Sequence, residues 1–114
     1  DVHRALGPGL LESVYGDMLC HDLDIKGVPY EREACINVRY KGKEFTTKLR
    51  ADLIVDKRLI LELKAVKEIV PVFESQIMTY MKLANIELGL LINFNVPLLK
   101  EGIHRYRLNF GRLK

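Results

Sequence analysis

The sequence has little that would build a disulfide-rich, fibrous or membrane-spanning protein. Among its 114 residues are only two cysteines, Cys20 and Cys35, too few for a disulfide framework or a cysteine-based zinc site. Its apolar runs fall short of the roughly 20 residues that a transmembrane helix needs, and no repeat or low-complexity segment is visible. We therefore expect two reduced thiols, in or near the core of an intracellular, cytoplasmic protein.

The residues that are present suit a compact globular domain. Apolar residues make up 48% of the chain and charged residues 29%, a balance that disordered chains lack. We expect residues 1–114 to form a single domain around one core. Because the first residue is Asp1 rather than a methionine, we also expect a trimmed chain that can lack part of its first helix.

The charges are distributed unevenly along the chain. The formal net charge is +3, but residues 1–35 carry a net −4 and the remainder a net +7. The bases gather in segments 39–50 and 100–114, each of which holds five bases and one acid. Basic segments of this kind can attract phosphates, and the alternative is a set of solvated strand faces.

Two segments show the apolar spacing of helices. Residues 10–25 and residues 72–84 repeat apolar side chains three and four positions apart. Residues 7–9, Gly-Pro-Gly, separate the first helix from a short helical stretch at 3–6 and place Pro8 near its start. Gly27 and Pro29 end this helix. The predicted apolar faces are Leu11, Val14, Met18, Leu19 and Leu23 in the first helix and Phe73, Ile77, Tyr80, Met81 and Ala84 in the second.

The remaining segments favour strands. The alternation at Ile36, Val38 and Tyr40 predicts a strand, with a turn at 41–43 and a partner at 44–49. Strand, helix and strand at 59–64, 72–84 and 88–93 predict a parallel pair with a helical crossover. The predicted fold is therefore an α/β (α+β) domain with a mixed sheet covered by helices. The further strands are 51–55, joined to 59–64 by a turn at 56–58, a central strand at 88–93 and a possible last strand at 103–108.

Two carboxylates in adjacent strands are the most informative residues. Glu62 lies in a strand apolar enough to be central, where a charge is costly to bury without a partner. If residues 56–58 form a three-residue turn, Val55 pairs with Leu59 and Asp52 lies directly opposite Glu62 on the same face. A two-residue turn would place the two carboxylates on opposite faces. Lys64 shares the face of Glu62 in either case.

This arrangement can form a divalent metal site. Asp52 and Glu62, with the Leu63 backbone carbonyl, can ligate Mg²⁺ or Mn²⁺, which prefer oxygen donors. Lys64 can position or help to deprotonate a water, or stabilise charge on a phosphate. The alternative is a structural ion pair of Lys64 with either carboxylate.

Each predicted helix also offers a polar group beside a phenol. Glu12 and Tyr15 are three residues apart, and Gln76 and Tyr80 are four apart, so each pair shares a helix face. Together these side chains can support a site at one end of the sheet. The alternative is that each is a hydrogen-bonded residue at the edge of the core.

Taken together, these motifs resemble the GxxExxY protein family, a branch of the PD-(D/E)XK nuclease superfamily. The resemblance covers nearly the whole chain, with the motifs in the same order. The matching segments are VHRALGPG at 2–9, GLLESVY at 9–15, DLIV at 52–55, ELKAV at 62–66, Gln76-x-x-x-Tyr80 and GLLINF at 89–94.

The resemblance implies a fold, a set of site residues and an activity. The fold is a restriction-endonuclease-like αβββαβ core with a mixed sheet of four or more strands. Asp52 and Glu62 would bind the metal, Lys64 would be the motif lysine, and Glu12 would complete the metal site. Gln76 and Tyr80 would match an element on the helix that follows the core strands.

The function that follows is a Mg²⁺- or Mn²⁺-dependent nuclease acting on nucleic acid, with DNA as the expected substrate. The basic segments 39–50 and 100–114 would contact the phosphate backbone without reading sequence. A homodimer or a protein partner, and no membrane, is expected for so small a core. The alternatives are a catalytically inactive module that binds nucleic acid or protein on the same fold, and a hydrolase of other phosphates.

Overall fold

A computed structural model describes residues 1–110 of the chain. This part contains three helices and seven strands, with a 3₁₀ helix at Leu99–Gly102 before the last strand. In chain order they are α1 (Val2–Leu6), α2 (Glu12–Ile25), β1 (Tyr30–Cys35), β2 (Val38–Tyr40), β3 (Lys43–Phe45), β4 (Arg50–Val55), β5 (Leu59–Lys64), α3 (Pro71–Ala84), β6 (Leu88–Asn93) and β7 (Ile103–Arg107).

Helix α2 forms where the apolar spacing predicts it, but its start and its buried face differ from the prediction. Gly7 and Gly9 have positive φ values of 70° and 98°, so the chain turns before the helix and Pro8 lies outside it. Leu11 and Met18 are 72% and 43% exposed, so their assignment to the apolar face is wrong. Leu19 and Leu23 of the predicted face do pack against the core, together with Tyr15 and Cys20, which the prediction did not include.

Helix α3 matches its prediction closely. Pro71 occupies the first turn, where its missing N–H costs no hydrogen bond, and Asn85 ends the helix in the left-handed conformation. Its apolar face is buried as predicted, with Ile77, Tyr80 and Met81 at most 6% exposed. The helix between β5 and β6 makes these two strands parallel, which confirms the predicted strand–helix–strand unit.

Five of the described strands form a mixed sheet that lies between the two long helices. The strand order is β1-β4-β5-β6-β7, and the neighbours are antiparallel except for β5 and β6. Two clusters of buried side chains cover its faces, and we name them the α2-side core and the α3-side core. The α2-side core is Tyr15, Cys20, Leu53, Leu61, Leu63, Ile92 and Phe94; the α3-side core is Ile36, Ala51, Ile60, Ile77, Tyr80, Met81, Ile86 and Leu91.

This sheet confirms the predicted mixed α+β fold and corrects the strands before β4. Strand β1 was not predicted, because five of its six residues are not fully buried and their sequence lacks an apolar alternation. The predicted strands from Ile36 and over 44–49 are wrong in extent, since only β2 and β3 pair there. They form a separate two-stranded sheet, the β2–β3 hairpin.

The turn between β4 and β5 gives the predicted register. Val55 pairs with Leu59, and the ladder continues through Ile54 with Ile60. Asp56 and Lys57 both have positive φ, 52° and 56°, and with the next residue they make the three-residue turn.

Two further observations concern the cysteines and the membrane. Cys20 is buried and Cys35 exposed, and both are free thiols, so the expectation that both lie in or near the core is wrong for Cys35. Over residues 1–110, none of the helices combines the length and the apolar character that crossing a bilayer requires.

Candidate active site

Strand β4 is kinked at Asp52. Residues two apart in a regular strand face the same way, yet Ala51 lies in the α3-side core and Leu53 in the α2-side core. On the neighbouring strand the ladder pairs run from Arg32–Leu53 to Ala34–Ala51 and skip Glu33, whose φ is 50°. Strand β4 therefore changes the face to which its side chains point at Asp52, and the Asp52 side chain lines a cavity with the first residues of α2.

Asp52 and Glu62 lie side by side across β4 and β5, as the register predicted. The Asp52 N–H donates a 2.7 Å hydrogen bond to Glu62 Oε2, and the Leu63 N–H donates a 2.7 Å bond to Asp52 Oδ2. The backbone ladder ends one pair earlier, at Leu53 and Leu61. The two carboxylates thus take the hydrogen bonds that the strands would otherwise exchange.

Burial makes these carboxylates unusually basic. Glu62 is only 5% exposed, and this burial raises its pKa to about 7, with a further upward contribution from the charge of Asp52. Burial also raises the pKa of Asp52, although the hydrogen bond from the Leu63 N–H and the charge of Lys64 act in the opposite direction. Negative charge at this position is therefore costly until a cation neutralises it.

Lys64 is near the carboxylates without forming an ion pair with them. Its Nζ lies 4.3 Å from the centroid of the Phe73 ring on α3. Within residues 1–110 the ion pairs involve neither Lys64 nor Asp52 nor Glu62. The structural ion pair that was the alternative to a metal site is thus not formed, and Lys64 keeps an ammonium available at the site.

A cavity of about 330 Å³ opens at the kink, between the sheet and the start of α2. Asp52, Lys64, Glu12 and Leu63 line it, so four predicted site residues meet there. The remaining lining residues are Ser13, Gly16, Arg32, Glu33, Arg50 and Leu53.

The arginines of this cavity were not singled out from the sequence as site residues. Arg32 Nη1 is 2.6 Å from Asp17 Oδ1, and its Nη2 donates a 3.2 Å bond to the Ser13 carbonyl. A Cβ at Gly16 would stand 2.7 Å from Arg32 Nη2, so this glycine leaves room for the guanidinium against α2. Arg50 lies two residues before Asp52, at the end of the basic segment 39–50.

Tyr15 does not reach the cavity, although it is one helical turn from Glu12. It is fully buried, stacks on Phe94 at 4.3 Å between ring centroids and donates a 2.5 Å hydrogen bond to the Gly7 carbonyl. Its hydroxyl also accepts a 3.2 Å bond from the Leu10 N–H. Tyr15 therefore fixes the loop that leads into α2 and so positions Glu12.

Gln76 and Tyr80 bond to each other rather than to the cavity. Gln76 Nε2 donates a 3.0 Å bond to the Tyr80 hydroxyl, and Tyr80 belongs to the α3-side core. Neither residue lines the cavity. Their part in the site remains a prediction that rests on their place in α3, which also carries Phe73.

The carboxylate oxygens of Asp52 and Glu62 suit a hard divalent cation, although the site offers few side-chain ligands. No group of three or more His, Cys, Asp or Glu side chains within the described residues 1–110 is placed to hold a metal ion. Two adjacent, buried carboxylates remain, and they supply the oxygen donors that Mg²⁺ and Mn²⁺ prefer. A cation there would take its other ligands from backbone carbonyls and water, which Mg²⁺ commonly keeps.

Comparison with known proteins settles the family. A family model described as the PD-(D/E)XK nuclease superfamily matches residues 1–106. The chain belongs to the PD-(D/E)XK nuclease superfamily. This confirms the superfamily that the motifs resemble and agrees with the mixed sheet between helices, whereas the GxxExxY branch remains a prediction.

A solved structure gives a second comparison, at the level of the fold. The structure described as "Crystal structure of SSO0001" shares 23% sequence identity with this PD-(D/E)XK domain, at a TM-score of 0.54. The match covers 85% of this chain and 48% of the other, so the chain spans about half the length of that protein. None of the curated proteins matches the chain significantly.

Proposed function

We propose that this domain is a Mg²⁺- or Mn²⁺-dependent nuclease that hydrolyses phosphodiester bonds in DNA. The observation that carries the proposal is the pair of buried carboxylates, Asp52 and Glu62, held together at the kink without a neutralising ion pair. In a chain of a nuclease superfamily, such a pair supports metal binding more readily than a structural role.

Asp52 and Glu62 would hold the ion, with the Leu63 carbonyl and Glu12 as further oxygen donors. A bound divalent cation supplies a Lewis acid that polarises a phosphate and makes water a better nucleophile at neutral pH. The raised pKa of Glu62 supports this assignment, because binding a cation relieves the cost of ionising a buried carboxyl.

The cations of the cavity would act on the phosphate directly. Lys64 would stabilise negative charge that develops on the scissile phosphate and hold the attacking water by hydrogen bonding. Arg32 and Arg50 line the same cavity and would bind the phosphates on either side. The Phe73 ring, on α3, lies against the Lys64 ammonium group. Gln76 and Tyr80 are on the same helix, and they would act by holding α3, and with it Phe73, in position.

A second function is favoured by the small number of side-chain ligands. Because no three His, Cys, Asp or Glu side chains come together within residues 1–110, the fold also suits a module that binds nucleic acid or protein without cleaving it. Such a module would bind without metal-dependent turnover, and Mn²⁺ would not change its melting temperature.

Cleavage assays separate the two functions. Labelled DNA and RNA substrates, single-stranded and duplex, are incubated with the protein across a titration of Mg²⁺ and Mn²⁺. We expect metal-dependent cleavage that falls at least a hundredfold in Glu62→Gln and Lys64→Ala, which remove a metal ligand and a charge at the phosphate. Glu101→Gln, which changes an exposed carboxylate on the 3₁₀ helix, is the matched control and should cleave normally. Cleavage that persists in both site variants would contradict the assignment.

A further inference from the structure

The β2–β3 hairpin presents two exposed aromatic rings. Tyr40 is 59% exposed and Phe45 is 42% exposed. Val38 pairs with Phe45 and Tyr40 with Lys43, and paired residues of an antiparallel hairpin share a face. We name Val38, Tyr40, Lys43 and Phe45 the aromatic face.

The hairpin is anchored at its base while these rings stay outside the core. The Ile36 N–H donates a 2.9 Å bond to the Leu49 carbonyl, and Thr47 Oγ1 donates a 2.6 Å bond to the Ile36 carbonyl. Ile36 lies in the α3-side core and Leu49 packs against it, whereas neither Tyr40 nor Phe45 belongs to either core. The fold therefore holds two large rings in water at a fixed position.

The opposite face of the hairpin is polar and lies beside α3. Arg39 and Glu44 are 3.5 Å apart there, and both line a cavity of about 410 Å³ with Leu83 and Ala84. The two faces thus differ in chemistry, and the aromatic face is the one that offers apolar surface to a ligand.

One lysine lies over each exposed ring. Lys41 Nζ lies 5.3 Å from the centroid of the Tyr40 ring, and Lys43 Nζ lies 5.2 Å from that of Phe45. Segment 39–50, which contains the hairpin, has five bases and one acid. This combination of flat rings and positive charge complements a polyanion with exposed aromatic bases, which is single-stranded nucleic acid.

We propose that the aromatic face binds an unpaired segment of nucleic acid, with bases stacked on Tyr40 and Phe45 and phosphates held by Lys41 and Lys43. Bases inside a duplex are stacked on their neighbours and expose only their edges, so these rings select a single strand. That the bound strand is also the substrate rests on the nuclease function proposed above.

The hairpin is connected directly to the candidate active site. Cys35 pairs with Arg50 at the end of the β1–β4 ladder, and Arg50 lines the cavity beside Asp52. Phe45 is seven residues from Asp52, which is at most about 24 Å along an extended strand. At about 3.4 Å per stacked nucleotide, a bound strand places the scissile phosphate within roughly seven nucleotides of the aromatic face.

Binding measured without metal tests the proposal independently of catalysis. Fluorescence anisotropy of labelled DNA and RNA single strands of about 15 nucleotides, and of the corresponding duplexes, is recorded in EDTA. We expect Tyr40→Ala and Phe45→Ala each to weaken single-strand binding by about 5- to 100-fold, and Tyr40→Phe to retain it. Ile25→Ala, which removes a 70% exposed apolar side chain at the end of α2, is the matched control and should bind normally.

Salt dependence separates stacking from general electrostatic attraction. The slope of log K against log salt should stay unchanged in the aromatic variants, and it should fall by about 0.7 in Lys41→Ala. Equal affinity for the duplex, or unchanged single-strand binding in both aromatic variants with intact circular dichroism spectra, would overturn the proposal. If the aromatic variants instead abolish a dimer seen by sedimentation and leave nucleic-acid binding intact, the face is an interface between copies of the chain and the proposal fails.

A failure of the aromatic-face proposal can be distinguished from a failure of the nuclease proposal. Strand binding that depends on Tyr40 in a protein that cleaves no substrate would support the aromatic face and contradict the catalytic function. Metal-dependent cleavage by a protein whose single-strand binding is unchanged in both Tyr40→Ala and Phe45→Ala would support the catalytic function and contradict the aromatic face.

Discussion

Glu62 is a buried carboxyl beside a second carboxyl, and no ion pair within residues 1–110 neutralises it. Its pKa of about 7 in the folded protein lies above the value of 4.5 that it would have in an unfolded chain. The folded state therefore binds a proton at this position more tightly than the unfolded state does. Ionising Glu62 without a cation destabilises the fold, and the cost grows as the pH rises.

This cost predicts a pH dependence of stability in metal-free protein. The protonated Glu62 carboxyl contributes to the free energy of unfolding. This contribution is fully present below about pH 4.5 and is lost as the pH rises to about 7, which lowers the free energy of unfolding by on the order of 3 kcal/mol. Glu62→Gln, which remains neutral, should gain stability relative to the wild type by about this amount between pH 5 and pH 8. Urea unfolding in EDTA at several pH values measures it. A difference between the two proteins that does not change with pH would show that Glu62 ionises normally.

Residue by residue, the sequence predicted the acidic pair but not its surroundings. Strand parity and a three-residue turn were enough to place Asp52 opposite Glu62. The kink opposite Glu33 could not be predicted, because a positive φ at a glutamate has no sequence signature and follows from tertiary packing. Arg32 and Glu33 enter the cavity through this kink, which is why the sequence did not indicate them.

At the scale of elements, the β4–β5 turn determines whether the two carboxylates meet. Its three residues set the ladder from Val55–Leu59 onward, and a turn shorter by one residue would send Asp52 to the other face. Lys57 has a φ of 56°, a conformation that glycine adopts freely and a β-branched residue resists.

This conformation predicts opposite effects of two substitutions at Lys57. Lys57→Gly should leave stability unchanged or raise it, whereas Lys57→Val should lower it by about 1 kcal/mol. Lys67→Val, at an exposed loop lysine without a positive φ, is the matched control and should have little effect. Thermal unfolding of the variants measures the difference. If valine is tolerated equally at both positions, the turn has a different conformation and the register argument fails.

The elements that the sequence predicted well are those with a strong apolar signal. Strands β5 and β6 are nearly continuous apolar runs and helix α3 repeats apolar residues at helical spacing, and the structure begins and ends all three within a residue of the prediction. Strand β1 is an edge strand with mostly exposed charged side chains, so its place in the sheet comes from pairing with β4. In the β2–β3 hairpin the turn was predicted, but its strands are shorter than the alternation indicated, and two of its aromatic residues are exposed.

At the scale of the whole molecule, the sheet brings acids and bases from distant parts of the chain to one cavity. Glu12 comes from the acidic first third, and Asp52, Lys64 and Arg50 come from the basic remainder. Segment 100–114 was predicted to contact nucleic acid as well, and its Arg112 and Lys114 lie outside the described residues. Binding a cation between Asp52 and Glu62 would couple to the stability of the entire fold, since both strands are central in the sheet.

We therefore expect Mn²⁺ to stabilise the whole domain. At a hundredfold excess over its Kd, a ligand that binds only the folded state contributes about 2.7 kcal/mol, which raises the melting temperature of a domain of this size by about 10 °C. The rise should be larger at pH 8 than at pH 5.5, because a proton on Glu62 competes with the metal. It should vanish in Glu62→Gln and persist in Glu101→Gln. Thermal shift measurements decide this, and an equal rise in both variants would place the metal elsewhere.

The most direct test is an anomalous difference map from crystals of the protein grown or soaked with Mn²⁺ and measured near the manganese absorption edge. We predict a peak within coordination distance of the Asp52 and Glu62 carboxylates, in the cavity lined by Glu12 and Lys64. A peak only at other carboxylates, or no peak at a saturating Mn²⁺ concentration, would contradict the metal site on which the proposed nuclease activity depends.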